Sequence, residues 1–200
     1  MSSCHPRQLS SPCQSSDYAH CTNLSHMVDL FLRERGNLAE AERAWWGDPD
    51  VPFARACRRA LFTLRDEHLR DPHQWTFGVE ALGNFAEQLV RNRTKFENAA
   101  TFDELYRGIE RAWGLARDRK PLLVYDVSRR LGHRFGCEPA SVYLHAGVRA
   151  GANALKSELG RRRSRPLADF PTSIRARLKP SQAEDFLCVT GKWLRADLWD

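Results

Sequence analysis

TFDELYRGIERAW, residues 101–113, decides the fold class. Thr101 followed three residues later by Glu104 is a capping box, in which a hydroxyl and a carboxylate satisfy amides left free at a helix start. Leu105, Ile109 and Trp113 then recur every four residues, the spacing of one face of a helix. Outward from this segment the same grammar repeats. Pro121 opens a helix in which Leu123, Val124, Val127, Leu131 and Phe135 share a face opposite Asp126, Arg129, Arg130 and Arg134, and Gly136 closes it. Pro139 opens a further helix through Val142, Tyr143 and Ala146 to Leu155, bent or broken around Gly147 and Gly151. Asp169, ahead of Phe170 and Pro171, reads as the cap of a short helix to Leu178. Ser181 with Glu184 reads as a second capping box, for a last helix that buries Phe186, Leu187, Leu194 and Leu198.

Upstream, a helix from about Ser25 to Arg35 stops at Gly36, and Asn37 caps a second to about Trp46, so that the two make a hairpin. Asp50 caps the helix of Phe53, Cys57, Leu61 and Leu64, which ends near Asp71. Pro72 begins another, with Val79, Leu82, Phe85, Ala86 and Leu89 at helical spacing. Stretches that alternate Val, Ile, Thr and aromatics are absent. The expectation is an all-α protein, a compact orthogonal bundle of about seven to nine helices forming one domain over residues 23–200. Residues 1–22, rich in Ser, Pro, Gln and Cys, have no apolar period and read as a disordered tail. Met27 is a second candidate start beside Met1.

The longest apolar run falls far short of the ~20 residues of a membrane span, and no apolar leader follows the basic start, which points to a cytoplasmic protein. Cys4, Cys13 and Cys21 lie in the tail, while Cys57, Cys137 and Cys188 are scattered through helical patterns, a distribution of reduced thiols. Neither the cysteine spacings nor His68 and His73, on different faces of a helix end, make a metal site. The signatures of phosphate-binding loops, dinucleotide folds, zinc proteases and nucleophile elbows are missing, so no cofactor or metal is expected. The six tryptophans read as core or rim residues.

Charge is the remaining clue. Between Arg161 and Lys179 stand Arg161, Arg162, Arg163, Arg165, Arg175, Arg177 and Lys179 against Asp169 alone, a net +6 that equals the charge of the whole chain. A localised positive stretch attracts phosphates or an acidic protein partner. The chain also prefers Arg to Lys throughout, 26 to 5, and a basic loop is equally read as a solvated one. A second polar grouping is conceivable where Asp126, Arg129 and Arg130 meet His133 and His145 in a cleft. The alternative is a salt-bridged helix surface.

One segment, residues 123–155, carries a family likeness. Its helix, Gly-Cys-Glu-Pro connection and LHAGVRAGANAL (144–155) resemble the helix-hairpin-helix motif of base-excision repair glycosylases, whose hairpin reads approximately L-P-G-V-G-x-x-T-A. Gly147 and Val148 match it; Arg149 stands in place of its second glycine, and Gly151 in place of the lysine of bifunctional members. The resemblance implies DNA phosphate held by hairpin amides at a helix N-terminus, and a catalytic role for Asp169, which otherwise caps the helix at Pro171. The leading expectation is therefore nucleic-acid binding through Gly147, Val148, Arg149, Arg161, Arg162, Arg163 and Arg165. A glycosylase-like enzyme using Asp169 or a His and carboxylate pair is the second reading, and a module docking an acidic protein the third.

Overall fold

The side chain of Asn23 accepts a hydrogen bond from the His26 amide at 2.8 Å and so starts α1, Leu24–Gly47. The computed structural model describes residues 16–62, 77–114 and 121–200. α1 runs through Gly36 and Asn37, where a break and a hairpin were expected. Leu24, Met27, Val28 and Phe31 are buried at one end and Trp46 at the other, and packing at both ends outweighs the roughly 1 kcal/mol that an interior glycine costs. α2, Phe53–Leu61, has Pro52 rather than Asp50 at its N-cap; the Asp50 amide instead donates to the Asp48 carboxylate at 2.9 Å. α3 (Val79–Arg91) and α4 (Arg93–Glu97) follow. The end near Asp71 and the start at Pro72 lie outside the described residues.

α5, Phe102–Trp113, begins as its capping box predicts. The Glu104 amide donates to Thr101 Oγ1 at 3.2 Å, and the Glu104 carboxylate accepts the Ala100 amide at 2.9 Å. α6, Pro121–Phe135, turns Leu123, Val124, Val127 and Leu131 inward and is followed by Gly136 at φ 68°. Together α2, α3, α5 and one side of α6 enclose the first hydrophobic core, around Phe85, Leu89, Leu105, Ile109 and Leu123.

The segment after Pro139 is not helical at first. Ser141–Tyr143 forms β1, antiparallel to β2 (Ser164–Pro166), with Val142 opposite Arg165. A β-branched and an aromatic residue suit a strand, but three residues are too few for alternation to show. α7, Ala146–Leu155, starts only after this ribbon and is unbroken at Gly151. The glycine serves contact instead, since a Cβ there would stand 2.4 Å from the Leu187 carbonyl oxygen of α9, Pro180–Thr190. Lys179 takes the N-cap position of α9 and its amide donates to Gln182 at 2.9 Å, so Glu184 is free of the capping role expected of it. α8, Thr172–Arg175, is capped by Pro171 without a side-chain bond from Asp169.

The second core gathers the N-terminal half of α1 with α7, α8 and α9 around Phe31, Val148, Phe170, Ile174 and Phe186. Tyr18, within the 3-10 helix Ser16–His20, and Cys21, just after it, both read as tail residues, are buried in it. Among the described residues the molecule is thus all-α apart from one two-stranded ribbon. Among the described residues no helix is long and apolar enough to cross a membrane. α6 of the first core packs against α1, and β1 against α9; where they meet, the packing turns polar.

Candidate functional site: a basic turn and a buried polar seam

α7 ends when the Lys156 amide bonds to Ala152, and the chain turns through a 3-10 helix, Leu159–Arg161, into β2. Side chains fix this turn from within. The Gly160 amide donates to Asn153 Oδ1 at 2.9 Å. The Arg149 guanidinium donates to the carbonyls of Leu144, at 2.9 Å, and Gly160. Arg165 donates to the carbonyls of Leu159, at 3.1 Å, and Glu158, and pairs with Asp169 at 3.4 Å. Arg163 lies over the Tyr106 ring, 4.4 Å from its centre, and reaches Glu110 of α5 at 3.0 Å. Arg161 and Arg162 are exposed and have no ion pair among the described residues.

The structure therefore brings Arg149, Arg161, Arg162, Arg163, Arg165 and Asp169 together but gives them different work. Arg149, Arg163 and Arg165 hold the turn; Arg161 and Arg162 are exposed on it, without an ion pair among the described residues. Gly147 and Val148 lie in the first turn of α7, Val148 in the core and Gly147 against α9, where a Cβ would come 3.2 Å from Cys188 Sγ. Ten residues, including β1, separate α6 from α7. Of the other expected basic residues, Arg175 bonds to Thr172, and Arg177 pairs with Asp29 of α1. Lys156, beyond α7, holds its ammonium 5.4 Å from the ring centre of Trp199, which is 37% exposed.

The second grouping is buried. His145, the residue before α7, has Nε2 in direct contact with Glu184 Oε1 of α9, both side chains being 4% exposed. Behind them the Tyr125 ring of α6 lies 6.0 Å from the His145 ring, and its buried hydroxyl has no hydrogen-bond partner among the described residues. Arg129, one helical turn further along α6, pairs with Asp185 at 2.9 Å and faces Glu42 of α1 at 3.6 Å. Burial pushes the Glu184 carboxyl well above the usual carboxylate range, and Asp185 adds to the shift. Asp185 is raised by burial too, with Arg129 opposing. Asp185 in turn holds the Arg129 guanidinium charged against the cost of burial. Such an arrangement can retain a proton on a carboxyl that would lose it in water.

Of the residues expected to share a polar cleft, Asp126, Arg129 and His145 do meet in this seam. His133 lies on the far side of Arg129, 3.7 Å from Glu138, and Arg130 donates to the Ala60 carbonyl at 2.8 Å. Glu184 and Asp185 were missed because the first was read as a cap. The available signal was two successive acids inside the otherwise apolar run AEDFLCV (183–189).

Trp45 carries Arg59 over its ring, Trp46 is buried, and Trp113 and Trp193 pack on Phe85 and Tyr18; Trp75 lies outside the described residues, as do His68 and His73. Cys21, Cys57 and Cys137 are buried free thiols, and Cys188 is exposed. Among the described residues no group of three His, Cys, Asp or Glu side chains is placed to hold a metal ion. The chain matches no protein-family model, no curated protein and no solved structure.

Proposed function

We propose that the protein binds the phosphate backbone of nucleic acid through the turn 161–165. The observation that carries this is the division of labour among its arginines. Two exposed guanidinium groups without carboxylate partners among the described residues stand on a turn whose backbone is already fixed by Arg149, Asn153 and Arg165. A fixed scaffold loses little freedom when it meets a ligand, and free cations gain affinity by releasing counterions from the phosphates. Lys156 lies within the same corner, one short turn before Arg161. The free thiols accord with an intracellular setting.

The test is a salt series with short labelled DNA and RNA, wild type against the double variant Arg161→Ala/Arg162→Ala. Because each neutralised phosphate contributes about 0.7–0.9 to the slope of log K against log salt, the double variant should lose between one and two units of slope while unfolding like the wild type. An unchanged slope defeats the assignment, and wild-type binding that is absent even at low salt redirects the same cations to an acidic protein partner.

Base excision with Asp169 as the catalytic acid is the second reading, favoured only by the bond that ties Asp169 to the basic turn through Arg165. Damaged duplex processed by wild type but not by Asp169→Asn would support it. Equal turnover by the two would remove Asp169 from the chemistry.

A further inference from the structure

We propose that His145 and Glu184 form a proton-binding site that holds one shared proton and ties α9 to the β1–α7 corner only while it does so. The imidazole nitrogen and carboxylate oxygen are in direct contact, and both side chains are buried. The contact takes either the N–H that a neutral ring already carries or a proton held on the carboxyl, and the burial and charge around the pair decide which. Glu184 is the second acid of a seam that takes Asp185 from its own helix, Tyr125, Asp126 and Arg129 from α6, and Glu42 and Arg35 from α1. On the ribbon side, the Tyr143 hydroxyl is committed to Asp103, and Arg130 of α6 to the Ala60 carbonyl.

Four carboxylates, Glu42, Asp126, Glu184 and Asp185, thus face the cations Arg129 and Arg35 and the His145 ring. With one proton on the pair it is neutral as a unit. Without that proton it adds an uncompensated negative charge beside Asp185, and with a second it adds a positive charge beside Arg129; burial makes both costly.

The position gives the proton mechanical reach. His145 follows Leu144, whose amide donates to the Arg163 carbonyl at 2.8 Å and whose carbonyl accepts Arg149. Opening the pair therefore frees the end of the ribbon. The proton site itself stands whether or not the turn binds nucleic acid.

Counting protons fixes the sign. In the unfolded chain these two side chains hold two protons below about pH 4.3, one up to about 6.5, and none above. The folded pair holds one across both of these values. Wild-type folding should thus be level between the two values and weaken about tenfold per pH unit above 6.5, until the folded pair releases its proton. This agrees with the raised Glu184 carboxyl, whose contribution is present on the acid side and is lost as pH rises. Glu184→Gln carries no shared proton, so its folding should strengthen about tenfold per unit from 4.3 to 6.5 and then level off.

The experiment is urea unfolding of the full chain, wild type and Glu184→Gln, from pH 5 to 8, with nitrogen NMR of the His145 ring in the wild type. The expected result is a ratio of wild-type to variant folding constants that falls about tenfold per pH unit, with ring signals that do not titrate near 6.5. A pH-independent ratio, or a His145 ring that titrates like an exposed imidazole, overturns the proposal. If Glu184→Gln does not fold, the ring signals of the wild type decide alone.

Discussion

Gly36 and Gly151 both sit in the interior of helices, yet their neighbours give them opposite meanings. A Cβ on Gly36 would meet nothing within 4 Å, so Gly36→Ala removes backbone freedom from the unfolded chain without a clash. It should raise stability by about 0.5–1 kcal/mol, seen as a higher urea midpoint at unchanged slope. On Gly151 the same Cβ would stand 2.4 Å from the Leu187 carbonyl oxygen and 3.3 Å from Gly191 Cα, both backbone atoms. Gly151→Ala must push α7 away from α9 and should cost about 1–3 kcal/mol in the same assay. If both substitutions shift the midpoint the same way, the close contact of α7 with α9 is misplaced. In the sequence the two glycines look alike, as punctuation. What separates them is a neighbour 36 residues further along the chain, which local pattern does not contain.

At the scale of elements, legibility tracks whether the deciding contact is local. Thr101 and Glu104 lie within one helical turn of the amides they satisfy, and the start of α5 falls where the pattern puts it. Thr101→Ala should accordingly cost about 1 kcal/mol, measured as a lowered midpoint that Thr101→Ser largely restores; equal losses in the two variants would contradict a capping role. The similar Ser181 and Glu184 pattern misleads, because Glu184 has a buried partner in His145 and Gln182 takes the capping bond. Asp169 misleads likewise, since Arg165, four residues back, claims its carboxylate. The ribbon was hidden for a different reason. Its two strands are three residues each and are held in register by residues about 23 apart, Val142 opposite Arg165, so neither strand has a period of its own to read. The basic stretch was legible as charge but not as geometry. Which of its arginines are pinned depends on carbonyls and carboxylates of Leu144, Leu159 and Glu110, none of which composition reveals.

At the scale of the whole molecule, a sequence of amphipathic helices predicts a helical bundle, and within it the helices close two hydrophobic clusters with a polar seam between α6, α1 and α9. Arg129 is the cation of that seam in contact with Asp185 and Glu42, with Arg35 of α1 beside it. Removing it leaves Asp185 and Glu42 facing each other without the guanidinium between them. Breaking a buried pair from one side costs several kcal/mol in favourable cases, but the Asp185 side chain is 36% exposed, so solvent screening reduces the expected loss to about 2 kcal/mol for Arg129→Met. The loss should depend on pH with a definite sign. Burial already raises the Asp185 carboxyl and Arg129 opposes that rise, so the variant raises it further. A carboxyl raised in the folded state favours folding while it is protonated and loses that contribution as pH rises through its folded value. Arg129→Met should therefore unfold much like the wild type near pH 4 and fall progressively below it towards neutrality. Urea unfolding of both proteins at pH 4, 5.5 and 7 measures this. A deficit of the same size at all three would mean that Arg129 acts through packing of its aliphatic stem rather than as the charge that holds the two cores together.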